Sequence, residues 1–315
     1  MQTTTLGANG PTVPALCLGT WAWGDKLFWS YGKDYGAAEV RQAFDAAVHA
    51  GLTFFDTAEV YGPGTSEQLL GQFVKETGAT VQIATKYGPL PWRLSGQAVK
   101  IALSKSLERL QAKQILLYQI HWPFAFLTSQ KTLMNALADE VKLGRTIAVG
   151  VSNYSAAQMR EAHQILADRG VRLASNQVRY SLLSRQVESQ GTIAAARDLG
   201  VTILAYSPLA QGLLTGKYTA YSKPPAGARQ FDTRFGREGM DKIAPVTRLL
   251  RQIADLYGKT PAQVALNWLI AQGNVIPIVG IKTAEQVRQN LGCLKWKMTA
   301  EELENLERAS RPWLN

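Results

Sequence analysis

Short uncharged runs of β-favouring residues alternate along this chain with longer stretches in which apolar side chains recur every three or four positions. The short runs fall near 15–18, 52–56, 81–85, 115–120, 146–151, 174–178, 201–205 and 275–279. They are nearly continuous in apolar character, as expected of strands covered on both faces. Helical periodicity occupies about 37–50, 66–76, 95–110, 130–143, 155–169, 185–199 and 260–272. A strand recurring roughly every 30 residues is the size of a βαβ unit. Eight such units joined by right-handed crossovers close into a (β/α)8 barrel, for which about 250 residues are typical.

Punctuation supports this layout. Ser155-x-x-Gln158, Thr260-Pro261-x-Gln263, Thr283-x-x-Gln286 and Thr299-x-x-Glu302 fit the capping box and fix helix starts. Asn9-Gly10 predicts a two-residue turn, hence a short β-hairpin closing one end of the barrel. The remaining surplus lies in extra C-terminal helices and in a Gly- and Pro-rich loop over 210–240 that follows the seventh strand on the active-site face. The whole of 1–315 reads as a single barrel domain.

Composition narrows the class. Of 315 residues, 46% are hydrophobic and 18% charged, which describes a soluble globular protein. No apolar run reaches the roughly 20 residues that span a bilayer, and Met1–Thr5 is polar, so neither a membrane segment nor an export signal is expected and the location expected is cytoplasmic. Cys17 and Cys293 stand in apolar surroundings, suiting free thiols in a reducing compartment, and no disulfide or metal site is expected. The net charge of +10 fits a phosphate-bearing small molecule or a solvated basic surface. Its lysines and arginines are scattered, without a nucleic-acid recognition motif.

The chemistry gathers at strand ends. The run Leu52–Phe55 ends at Asp56, and Tyr61 follows in the loop; the next strand ends at Lys86 and the next at His121. Taken singly, the Asp reads as a helix cap, the Tyr as packing and the Lys as solvated. Placed on consecutive barrel strands about 5 Å apart, the four converge on one rim. A phenol titrates near 10, too high for an efficient acid at neutral pH, and an adjacent ammonium lowers that value. Asp56 would keep Lys86 charged, and a neutral His121 could orient a carbonyl oxygen. That set suits proton transfer during C=O reduction and contains no nucleophile backed by a base. His49 and His163 read as surface residues of helices.

These motifs resemble the aldo-keto reductase superfamily, most closely its bacterial, cyanobacterial and plant plastid branches. The resemblance rests on Gly51-Leu-Thr-Phe-Phe-Asp-Thr-Ala-Glu-Val-Tyr-Gly62, Ile83-Ala-Thr-Lys86, Leu117-Tyr-Gln-Ile-His-Trp-Pro123 and Gly150-Val-Ser-Asn-Tyr154. It implies Tyr61 as general acid, Asp56 and Lys86 as its tuning pair, and His121 as the orienting residue. It also implies a nicotinamide cofactor across the barrel mouth. Ser152, Asn153 and Gln177 would meet the carboxamide, and Tyr206 would stack on the ring. Ser207, Pro208, Leu209, Gly212 and Lys217 would lie along the pyrophosphate, and Gly19, Thr20, Trp21 and Asp56 beside the nicotinamide ribose. The adenine end would fall on Gly280, Lys282, Thr283, Gln286 and Asn290. Lys282 next to a helix N-terminus suits the 2′-phosphate of NADPH. Gly280 and Gln286 replace the basic residues of some branches, which keeps NADH open. Gly62-Pro-Gly-Thr-Ser-Glu67 mimics a dinucleotide fingerprint but reads better as a turn delivering Ser66 as a helix cap.

The substrate expected from the resemblance is a small carbonyl compound, such as an aromatic aldehyde, a quinone or pyridoxal, in a pocket drawn from Trp21, Trp23, Tyr87, Trp92, Trp122 and the 210–240 loop. The other aromatics of 21–36, Phe28, Trp29, Tyr31 and Tyr35, suit a pocket mouth and a packed loop equally. A monomer is expected. The resemblance carries a second reading, a regulatory subunit that binds the cofactor with little turnover.

Overall fold

A computed structural model describes residues 1–123, 128–219, 221–222 and 227–315. Residues 220 and 223–226 of the expected 210–240 loop therefore lie outside the described residues. Strands β1 (Thr3–Thr5) and β2 (Thr12–Pro14) form an antiparallel hairpin. The barrel strands are β3 (Cys17–Gly19), β4 (Phe54–Asp56), β5 (Gln82–Tyr87), β6 (Ile115–Ile120), β7 (Thr146–Ser152), β8 (Leu173–Arg179), β9 (Thr202–Tyr206) and β10 (Val275–Gly280). All neighbours are parallel, and β10 pairs with both β9 and β3, so the barrel is closed. The outer helices are α1 (Ala37–His49), α2 (Thr65–Thr77), α3 (Gly96–Leu110), α4 (Gln130–Lys142), α5 (Ala156–Ala167), α6 (Gln186–Ser189), α7 (Thr192–Leu199), α8 (Arg237–Tyr257), α9 (Pro261–Ile270), α10 (Ala284–Leu291) and α11 (Ala300–Ser310).

Two cores follow from strand alternation, since successive side chains point to opposite faces. Phe54, Ala84, Leu117, Ala148, Leu204 and Ile276 fill the barrel interior, while Phe55, Tyr118, Val149 and Ile203 pack outward against the helices. Leu6 and Val13 of the hairpin join the interior cluster, plugging the end opposite the strand C-termini. The hairpin is pinned there by Gly7 N–H to Thr202 Oγ1 (2.8 Å) and Ala8 N–H to the Gly200 carbonyl (2.8 Å).

Several sequence expectations are corrected. Thr5 pairs with Thr12, so the hairpin turn spans residues 6–11 rather than Asn9-Gly10 alone. The helix expected over 185–199 is broken in two at Gln190-Gly191, where Gly191 takes a φ of 75°. The segment read as loop to residue 240 ends earlier, because α8 begins at Arg237 and runs 21 residues. Gly239 and Pro245 obscured its period, yet Met240, Ile243, Val246, Leu250 and Ile253 form one buried face. Three of the four capping boxes are complete; at Thr283 only half forms, because the Gln286 carboxamide accepts from Lys282 N–H (2.7 Å) instead of Thr283 N–H. Ser66 is not a cap either. Gly64 precedes α2, and the Ser66 hydroxyl instead ties together Thr20 and Thr57 (2.7 and 2.9 Å).

Candidate active site

Asp56, Lys86, Gln119 and Gln177 all point into the barrel at the C-terminal ends of their strands. The register sets Asp56 beside Ala84 and Lys86 beside Gln119, so the acid and the amine lie on adjacent strands one step apart. The Lys86 side chain is fully buried, and an ammonium there needs partners for its three N–H bonds. It has them: Asp56 Oδ2 at 2.6 Å, the Thr57 carbonyl at 2.7 Å and the Tyr61 hydroxyl at 3.1 Å. Burial pulls the Lys86 pKa down, but Asp56 and then Tyr61 outweigh it and the net direction is upward, so the ammonium persists. Asp56 is held from the other side. Its Oδ1 accepts from Gln177 (2.8 Å) and, at longer range, from Gln119 (3.4 Å). Sequence reasoning missed Gln119 and the Thr57 carbonyl; the inward parity of Gln119 with Leu117 was the available signal.

Tyr61 departs from expectation in one respect. Burial raises its pKa more than the Lys86 charge lowers it, so the phenol stays protonated above the ordinary tyrosine range. His121 sits edge-on to Tyr61, with ring centroids 5.8 Å apart. Desolvation, then the Lys86 charge, depress its pKa to about 2, so the imidazole is neutral. Its Nδ1 is buried with no partner among the described residues.

The residues expected around a carboxamide gather on the next three strands. Ser152 pairs in register with Gln177, and its hydroxyl donates to the Gln177 carbonyl (2.9 Å). Asn153, at a φ of 62°, donates to the His121 carbonyl (3.2 Å) and accepts from the Tyr206 hydroxyl (3.0 Å). The Gln177 amide nitrogen is committed to Asp56, which leaves its side-chain oxygen as an acceptor. The Gln177 oxygen suits a carboxamide's N–H bonds, whereas the donors for its oxygen, the Ser152 hydroxyl and the Asn153 amide, are spent within the protein, Asn153 also on Ser152 Oγ (3.1 Å), and would exchange those bonds for it. After Tyr206 the backbone turns sharply around Pro208, with positive φ at Ser207, Ala210, Gln211 and Gly212. Leu209 lies within this turn, and Lys217 is exposed.

At the far end of the rim, Gly280 closes β10 beside Gly19 and is open to solvent. Thr283 caps α10, and Asn290 is buried in its last turn. Lys282 is gripped by aromatics, its Nζ 4.5 Å from the Trp29 ring centre and 4.4 Å from that of Tyr35. Burial and then Arg229 lower its pKa, against Asp34 and Asp25. Thr20 is further inside than expected, its hydroxyl spent on the Asp56 carbonyl (3.0 Å) and Ser66.

The pocket residues divide. Trp21 is 38% exposed, 6.2 Å from the Tyr61 ring and stacked on Phe28 at 4.8 Å; Trp122 lies 4.4 Å from His121. Trp23, by contrast, is wholly buried against Phe55 and Phe73 and donates to the Ile281 carbonyl (2.8 Å). Tyr87 has outward parity, one residue past inward Lys86, and lies buried under Arg93. Trp92 is 72% exposed on the surface. Trp23 and Tyr87, both wholly buried, therefore do not line the cleft as the sequence suggested, and Trp92 makes no aromatic contact with Trp21, Tyr61 or His121 among the described residues. His163 is also less exposed than expected, with a buried Nδ1 that has no partner among the described residues, whereas His49 is at the surface.

A closed parallel barrel whose strand ends join a carboxylate, an ammonium and a phenol defines an oxidoreductase site of the carbonyl-reducing class. The Aldo/keto reductase family model matches residues 15–311, and the chain belongs to that family. It is 41% identical to the chloroplastic pyridoxal reductase of Arabidopsis thaliana, over 96% of this chain and 85% of that protein. An aldo-keto reductase of Schizosaccharomyces pombe whose name carries NADP(+) is 32% identical, over 98% and 92%. Among solved structures, the glycerol dehydrogenase of Gluconobacter oxydans superimposes with a TM-score of 0.87 at 27% identity, covering 99% of this chain and 96% of that one. A thermostable aldo-keto reductase in complex with the inhibitor epalrestat gives 0.79 at 29% identity, covering 98% and 100%.

Proposed function

We propose that the protein reduces aldehydes and ketones to alcohols with NADPH, Tyr61 delivering the proton. The observation that carries this reading is the use of the Lys86 ammonium. All three of its N–H bonds are spent, one of them on the Tyr61 oxygen, so the phenol accepts from the ammonium and keeps its own O–H to donate to a carbonyl oxygen in the cleft. Proton loss from Tyr61 leaves a phenolate beside that ammonium, where the attraction is strongest in a buried site. Asp56 fixes the ammonium in place, and neutral His121 offers a ring N–H to orient the carbonyl. A bound dihydronicotinamide supplies the hydride. Ser152, Asn153 and Gln177 would hold its carboxamide, Tyr206 its ring face, and Lys282 a 2′-phosphate.

NADPH is favoured over NADH because Lys282 is a partly buried cation with no carboxylate in hydrogen-bonding reach among the described residues. The name of the fission-yeast relative points the same way. The aromatic wall of Trp21, Phe28 and Trp122 suits planar aldehydes, and the name of the plant relative makes pyridoxal the first to try. The test is a fluorescence titration with both cofactors followed by an aldehyde panel including pyridoxal. Tighter NADPH binding and stoichiometric alcohol formation are expected. Equal affinity for NADH would remove the phosphate role of Lys282, and cofactor binding without turnover of any aldehyde would favour a sensor.

A further inference from the structure

A second cavity of about 780 Å³ opens on the same rim, walled by Phe28, Arg179, Asp232, Arg234, Lys242 and Trp313 among others. Its size falls within the range of small-molecule sites. It adjoins the proton-transfer centre through shared aromatics: Phe28, on its wall, stacks on Trp21, and Trp21 faces Tyr61. Strand register also sets it beside the residues suited to the cofactor, since Arg179 at the end of β8 pairs with Tyr206 at the end of β9.

The charged groups on this wall are the cations Arg179, Arg234 and Lys242 against Asp232, while Ser184, Gln186, Gln211 and Asn315 can donate or accept. Asp232 is consumed by Arg234, whose guanidinium meets both carboxylate oxygens (3.0 Å from Nε to Oδ1 and 2.6 Å from Nη2 to Oδ2). Arg179 and Lys242 have neither an ion-pair partner nor a side-chain hydrogen bond among the described residues. The Trp313 indole N–H is buried with no acceptor among the described residues. Arg179 and Lys242 are exposed and hydrated, so neither demands a partner, but with the orphaned N–H they offer donors to a ligand that only accepts, and an oxyanion does so with full charge. Asp232 is itself held below the ordinary carboxylate range, by Arg234 first and by Arg179 among the lesser causes, which places the Arg179 charge beside the cavity.

We propose that this cavity is a subsite for an oxyanion, phosphate or carboxylate, carried on the carbonyl substrate, with Arg179 as its specificity-determining residue. The inference rests on the reading of the site as a carbonyl reductase. It makes the substrate class an anionic aldehyde or ketone with a planar spacer lying along Trp21 and Phe28, the carbonyl at Tyr61 and the anion at Arg179. Lys242 adds a flexible point charge, whereas Arg179 supplies the planar fork that matches an oxyanion at two points.

The experiment compares kcat/KM, with NADPH, for two matched pairs: pyridoxal against pyridoxal 5′-phosphate, and benzaldehyde against 4-carboxybenzaldehyde. The intact chain should prefer the anionic member by about tenfold or more, the size of one charge-assisted contact. Preference in the phosphate pair alone assigns a phosphate subsite, and in both pairs a general oxyanion subsite. Arg179→Met should bring the ratio toward one, and Arg179→Lys should retain part of it. A structural fault would lower both members of a pair equally, so an unchanged ratio in Arg179→Met, or no anionic preference in the intact chain, overturns the proposal. Calorimetry with pyridoxine 5′-phosphate and 4-carboxybenzyl alcohol separates the two readings. Binding that Arg179→Met abolishes, in a protein that reduces no aldehyde, would leave the subsite standing and the reductase reading not. Reduction without charge preference would do the reverse.

Discussion

His121 shows how burial rather than identity sets a residue's chemistry. Its imidazole, kept neutral down to about pH 2, cannot be the group whose titration shapes activity near neutrality. Tyr61, with its pKa raised, loses its proton only on the far alkaline side. The predicted kcat/KM profile for reduction is therefore flat from about pH 5 to about 10 and falls only above the ordinary tyrosine value. A limb near 6.5 that vanishes in His121→Asn would contradict the assignment. The same depressed pKa carries a stability cost in acid. The unfolded chain protonates this histidine near 6.5 and the folded chain does not, so stability is lost as pH falls below that value. His121→Asn should flatten the dependence of Tm on pH between about 6.5 and 4.5, measured against the parent. At the other end of the cleft, Lys282→Ala should weaken NADPH by roughly 10- to 100-fold, as one charge-assisted contact is lost, and NADH by about twofold at most. Cofactor titration reads both.

At the scale of elements, the eight strands were legible because each is a short apolar run bounded by turn residues, and Asp56, Lys86 and His121 were legible as polar residues at the ends of such runs. The direction of aromatic side chains was read less well, although for Tyr87 the strand period carried it. Tyr87 follows Lys86 by one residue, and strand parity sends it outward to the helices. Trp23 is two residues from Trp21 in an irregular loop, where no period says which ring is buried. The core position of Trp23 predicts that Trp23→Ala costs about 3–5 kcal/mol in denaturant unfolding, while kcat/KM of the folded fraction changes little. A large loss of kcat/KM with stability intact would return Trp23 to the pocket. Helix α8 escaped notice because Gly239 and Pro245 interrupt a face that is otherwise regular. The long-range pairings, such as Gln177 with Asp56 across 121 positions, were beyond any local pattern.

Across the whole molecule, barrel closure is what turns residues spread over half the chain into one site. The hairpin plugs one end with Leu6 and Val13, and the opposite rim carries Asp56, Tyr61, Lys86 and His121 with the residues suited to a cofactor alongside. The aromatic cluster of Trp21, Phe28 and Trp29 stands between this centre, the Lys282 end and the basic cavity, so one loop touches all three regions. The central claim is that the proton leaves the Tyr61 phenol. Its most direct test is the single-turnover rate of NADPH oxidation by an aldehyde in Tyr61→Phe, with cofactor affinity measured alongside. The ring and its packing against Trp21 are kept and only the hydroxyl is removed. The account predicts unchanged NADPH affinity and a rate lowered by about a hundredfold or more. A rate within a fewfold of the parent would contradict it.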